Sequence, residues 1–80
     1  MKITIIAYAI VKEQLGSGFS IEVPDGCTIA QLRSLLSASK PEAGRALQSS
    51  RFAINETFAG DNAQIDADAD VHILPPSSGG

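Results

Sequence analysis

Residues 28–36, Thr28-Ile29-Ala30-Gln31-Leu32-Arg33-Ser34-Leu35-Leu36, decide the fold. Thr28 followed three residues later by Gln31 is a capping-box pattern, in which a hydroxyl and an amide satisfy two otherwise unpaired backbone N–H groups. Ile29, Leu32, Leu35 and Leu36 then recur at helical spacing, which predicts one core helix with an apolar stripe. Its polar side, Gln31, Arg33, Ser34 and Ser37, holds no set of groups suited to catalysis. Upstream, Pro24, Asp25 and Gly26 break the chain. Downstream, Lys40-Pro41 ends the helix, and residues 41–48 suit a shorter second helix with Pro41 in its first turn.

Outward from the helix the periodicity changes to two. Residues 1–10 place Ile3, Ile5, Ala7 and Ala9 on one face and Lys2, Thr4, Ile6, Tyr8 and Ile10 on the other. Both faces are largely apolar after Thr4, which predicts a strand in the middle of a sheet with its alanine face under the helix. If nothing covers the opposite side, Ile6 and Tyr8 form an exposed docking patch; ordinary local packing is the competing reading. Residues 11–18 have turn composition, with room for a short helical turn. Phe19, Ile21 and Val23 alternate inward and make residues 19–23 the hairpin partner of the first strand. After the helices, residues 51–55 form a strand with Phe52 and Ile54 inward, Asn55-Glu56 turns, and residues 57–59 suit a short edge strand. Residues 64–70 are an acidic connector. Residues 71–74 close the sheet, with Val71 and Ile73 on one face and His72 and Leu74 on the other.

The order strand, strand, helix, short strands is an α+β arrangement in a chain too short for parallel crossovers other than the one through the helix. It suits a β-grasp, a mixed sheet with one main helix across one face. In that fold the first and last strands lie side by side and parallel at the centre, which sets His72 and Leu74 beside Ile6 and Tyr8. The expected division is a folded body over residues 1–74 and an extended tail over residues 75–80.

Size and charge narrow the function. A chain of 80 residues makes one domain and buries only about 60% of its unfolded surface, leaving little room for a deep active site. No apolar run approaches a membrane span of about 20 residues, and Lys2 with a short apolar strand is no signal peptide, so the expected location is cytoplasmic. One cysteine makes neither an internal disulfide nor a cysteine-ligated cluster. A net charge of −3 without a basic cluster excludes nucleic acid as the natural partner.

The tail carries what chemistry there is. Pro75 and Pro76 lack the N–H a strand needs and favour a polyproline II lead. Six residues at about 3.3–3.6 Å each reach about 20 Å, enough for Pro75, Pro76, Ser77, Ser78, Gly79 and Gly80 to enter a cleft in another protein. Gly79 and Gly80 pass through a narrow channel because they have no side chains. The terminal carboxylate is ionised at neutral pH and resists nucleophiles, so it needs activation, for example by ATP as an acyl-adenylate. The plainer reading is an incidental small-residue end.

Three other features have structural explanations that compete with a chemical role. Cys27, beside a helix start, is a reactive-thiol candidate, but a small, partly buried residue accounts for it better. His72 has no second polar group visibly placed to orient it, which favours a surface or interface histidine. Asp66, Asp68 and Asp70 lack the glycine and distal glutamate of a calcium loop and suit a solvated turn. No metal site is expected.

A chain of this length ending Ile73-Leu74-Pro75-Pro76-Ser77-Ser78-Gly79-Gly80 resembles the ubiquitin-like sulfur carriers, above all the small subunit of molybdopterin synthase, the MoaD family. Tyr8-Ala9 followed by Lys12-Glu13 and Gly16, the strand end Ile54-Asn55, and the acidic turn before the last strand also match. The family often has aromatic residues where this chain has Ile73-Leu74, and Asp-Gly-Asp where it has Asp68-Ala69-Asp70. The resemblance implies that an E1-like adenylating enzyme uses ATP to activate Gly80 and that a sulfur donor protein converts it to a thiocarboxylate. That group then passes its sulfur to a pterin precursor inside the large subunit, in a heterotetramer. It implies docking through Ile6, Tyr8, His72 and Leu74, no bound cofactor, and catalytic groups supplied by the partner. The alternatives are a carrier for thiamin thiazole or cysteine synthesis, a modifier conjugated through Gly80, and a plain interaction domain.

Overall fold

A computed structural model describes residues 1–76. Its strands are β1 (Lys2–Ala7), β2 (Gly18–Glu22), β3 (Arg51–Ile54), β4 (Thr57–Ala59) and β5 (Asp70–Leu74), and its helices α1 (Ala9–Leu15), α2 (Ile29–Ser39) and α3 (Gly44–Ser49), the last preceded by a 3-10 turn over Pro41–Ala43. The five strands form one sheet in the order β2-β1-β5-β3-β4. β1 and β5 run parallel at its centre, with Ile5 opposite Val71 and Ile6 opposite His72. The remaining pairs, β1 with β2, β3 with β5 and β3 with β4, are antiparallel. This is the expected β-grasp.

Period-two alternation sends Ile3, Ile5 and Ala7 of β1, Phe52 of β3 and Val71 and Ile73 of β5 to one face, all buried. There they meet Ile29, Leu32 and Leu36 of α2, and Leu47 of α3 closes the end of the same core. Both halves of the capping box form: Gln31 N donates to Thr28 Oγ1 at 3.2 Å and Thr28 N to Gln31 Oε1 at 2.9 Å. Arg33 then ties α2 to its neighbours. Its Nη1 donates to the carbonyls of Leu47 and Gln48 at 3.1 and 2.9 Å, and Nη2 pairs with Asp61 at 2.9 Å. Its guanidinium also lies over the Phe52 ring, 4.8 Å from the centroid. Those carbonyls end α3, where a helix leaves acceptors unpaired.

Three local expectations change. The first strand ends at Ala7 instead of Ile10, because Ala9 adopts φ 56° and turns the chain into α1. Val11 of that helix is buried and Leu15, four residues on, packs beside it, so a helical spacing took over inside what read as strand and turn. Ala9 and Ile10 are therefore exposed instead of flanking a strand. Leu35, assigned to the apolar stripe of the core helix, is 41% exposed, since Leu32 and Leu36 already fill the space over the sheet. The connector before β5 is also less wet than its acids suggest: Asp66, Asp68 and Asp70 are exposed, but Ile65 just before them and Ala69 between Asp68 and Asp70 are buried.

Candidate functional site

Among the described residues no helix or strand covers the face of the sheet away from α2. The strand register assembles a row across it: Gly18 opposite Ile6, Ile6 opposite His72, His72 opposite Ala53, and Ala53 opposite Phe58. Tyr8 continues this face past the end of β1, since its N–H donates to the Ile73 carbonyl at 3.1 Å and extends the parallel ladder by one step. Ile6, Tyr8, His72 and Leu74 thus come together as the alternation required, with Ile6, His72 and Leu74 half-buried and Tyr8 exposed. They stand where the chain leaves the sheet. Pro75 and Pro76 follow as exposed residues outside the ladder. Ser77, Ser78, Gly79 and Gly80 lie outside the described residues.

His72 has the orienting partner that was not visible in the sequence. The Tyr8 hydroxyl lies 3.0 Å from His72 Nδ1, and the two rings stack with centroids 6.0 Å apart and planes 22° from parallel. The two residues are 64 positions apart. Only the parallel pairing of β1 with β5 signals their contact. Their hydrogen bond fixes both rings, so the patch is a preset shape, amphipathic in the manner of protein interfaces.

Phe58 was missed altogether. It is 58% exposed on the edge strand β4, and with Ala53, His72 and Leu74 it borders a shallow groove of about 240 Å³ that Asn55 and Glu56 close at one end. The residue stood in an expected strand, but its face depends on the Ala53–Phe58 register, which composition does not give. Arg51, opposite Leu74, lays its guanidinium 4.0 Å from the Phe58 ring centroid.

No reactive constellation accompanies this surface. Among the described residues no three His, Cys, Asp or Glu side chains gather as a metal site. Cys27 is buried, its Sγ 3.4 Å from the Thr28 carbonyl, and burial pushes its thiol above the ordinary value of 9.0, which disfavours the nucleophilic thiolate. A larger hollow of about 450 Å³ runs along the outer side of α2 beside Leu35 and Pro24, away from the tail, and no titratable side chain lines it. Among the described residues no helix is long and apolar enough to cross a membrane. The arrangement is a largely apolar open face with Pro75 and Pro76 leaving from its rim.

The model of the ThiS family matches residues 5–80. This chain belongs to the ThiS family. No curated protein sequence matches it significantly. Among solved structures, the fold is similar to a putative molybdopterin converting factor subunit 1 from Pyrococcus furiosus, at 15% identity over 95% of this chain and 98% of that one, with a TM-score of 0.84. It is also similar to small archaeal modifier protein 1 of Haloferax volcanii, at 17% identity over 94% and 97% of the two chains and a TM-score of 0.80. A third likeness is to a complex of subunits 1 and 2 of the molybdopterin-converting factor from Helicobacter pylori, at 22% identity over 100% of both chains and a TM-score of 0.71. The expected ubiquitin-like sulfur-carrier family and its β-grasp are borne out.

Proposed function

We propose that this chain is a sulfur carrier for molybdopterin synthesis that works through Gly80. An E1-like enzyme joins the Gly80 carboxylate to AMP with release of pyrophosphate from ATP. A donor protein supplying sulfur at the sulfide level then displaces AMP, so the acyl C–O bond to AMP breaks and a C–S bond forms. The resulting thiocarboxylate enters the large subunit of a molybdopterin synthase heterotetramer and gives its sulfur to the pterin precursor. ATP belongs to the activating partner, and the catalytic groups to the large subunit.

The observation that carries the reading is the position of the exit. β5 is central and rigidly paired on both sides, and it releases Pro75 at the border of the Ile6, Tyr8, His72 and Leu74 patch. A partner that covers the patch therefore receives the tail. The family membership supports a carrier, and the likeness to a molybdopterin-converting factor in complex with its second subunit supports a large-subunit partner. A single buried cysteine suits the reducing cytoplasm, where we place the protein.

The test is the state of Gly80 after incubation with a cognate adenylating enzyme, ATP and a sulfur donor. A Cys27→Ser variant removes the one cysteine thiol, so an ATP-dependent alkylation mapped to Gly80 reports the thiocarboxylate, and sulfuration of the pterin precursor by the loaded chain identifies the pathway. No alkylation, with an enzyme competent on another carrier, overturns the reading. The likeness to small archaeal modifier protein 1 favours one second reading, conjugation of Gly80 to a lysine amine. Isopeptide-linked adducts in cells, in place of pterin sulfuration, would establish it.

A further inference from the structure

Arg51 puts a positive charge at the tail end of the open face, whose other strand charges, Lys2, Glu22 and Asp70, alternate onto it at the opposite end. It begins β3 on the same face as Ala53, directly opposite Leu74, so it stands at the root of the tail. Its guanidinium is held 4.0 Å over the exposed Phe58 ring, which fixes the plane while leaving the N–H edges available. Phe58 borders both the groove on the open face and a second hollow of about 350 Å³ at the β4 edge, which Arg51 also lines.

The acids that flank β3 and β5 are placed elsewhere. Asp66 and Asp68 precede β5, Asp70 begins it, and Glu56 lies in the turn between β3 and β4, all at the end of the sheet away from Arg51. Asp61 borders the hollow beside Arg51, but Arg33 holds its carboxylate at 2.9 Å. Among the described residues Arg51 makes no ion pair. A chain of net charge −3 therefore shows an oriented cation at the point where it hands over its tail.

We infer that Arg51 is a specificity residue of the docking face and pairs with a carboxylate that the tail-receiving large subunit presents beside its channel. The planar guanidinium, preset by Phe58, suits a bidentate contact to Asp or Glu. The apolar patch supplies area, and this pair selects the partner and the register in which the tail is offered. The inference rests on the docking reading above.

Calorimetric titration of the full chain against the large subunit from the same organism tests it, at low and at raised salt, with circular dichroism melts confirming that each variant is folded. Arg51→Glu should bind at least about tenfold more weakly, because it sets like charges together, and Arg51→Ala less severely. The wild type should lose more affinity with salt than Arg51→Ala does. If Arg51→Glu and Arg51→Ala bind as the wild type does while Tyr8→Asp binds weakly, the face docks but Arg51 selects nothing, and the inference fails alone. If Tyr8→Asp also binds normally, or the wild type does not bind, the docking reading fails and takes this inference with it.

Discussion

Tyr8 shows how one side chain can matter to an interface and little to the fold. It is 40% exposed and its ring packs on His72 at the surface, so Tyr8→Asp should keep a cooperative melt close to that of the wild type while weakening partner binding by placing a charge in the apolar patch. Loss of the cooperative transition would mean that the Tyr8–His72 contact holds the end of β1 in place. Cys27 is the opposite case. Burial raises its thiol above 9.0, so below that pH the folded and unfolded thiols are both neutral and stability is unaffected. As pH rises further the unfolded thiol ionises first, the unfolded state is favoured, and stability falls toward the folded value. Denaturant titrations from neutral to alkaline pH should show a steeper alkaline loss for the wild type than for Cys27→Ala, the other titrating groups being common to both. Parallel curves would show that the thiol is as accessible in the folded chain as in the unfolded one.

Among the elements, α2 is positioned as much by one polar residue as by its apolar stripe. Arg33 stitches it to the end of α3 and to the loop after β4 through three polar contacts and one ring, with its side chain 18% exposed. Arg33→Ala removes these donors, leaving the Leu47 carbonyl with only the Ser50 N–H at 3.3 Å, which should cost about 1–3 kcal/mol in denaturant unfolding. In a domain of this size each kcal/mol lowers the melting temperature by about 4–8 °C. An unchanged midpoint would show that water replaces the guanidinium at no cost. At the other end of the sheet, α1 was only half legible. Val11 and Leu15 are four residues apart, a helical signal too short to outweigh the alternation that runs into it from β1.

At the scale of the molecule, the body and the tail divide the work. Stability resides in the sheet and its helices, whereas the proposed function puts reactivity in the terminus that follows two exposed prolines. Gly80→Ala should therefore leave the melting temperature unchanged and impair adenylation or sulfur transfer, because a methyl group enters a channel shaped for glycine. Full activity of that variant in pterin sulfuration would mean that the channel tolerates a side chain and that the terminal glycine serves another purpose.

The sequence by itself determined the five strands, the core helix with its capping box at Thr28 and most of the inward strand residues, because these follow from periodicities and backbone preferences that act over a few residues. Tertiary structure decided which distant residues meet. It paired Tyr8 with His72, set Arg51 on Phe58 beside Leu74, buried Ile65 within an acidic stretch and left Leu35 outside. Each of these depends on strand register or on the space left between packed layers, and a shift of one residue in register would carry His72 and Leu74 to the other face. The open face was thus foreseeable as a set of alternating positions, while its aromatic pair and its cation existed only once the central strands had aligned.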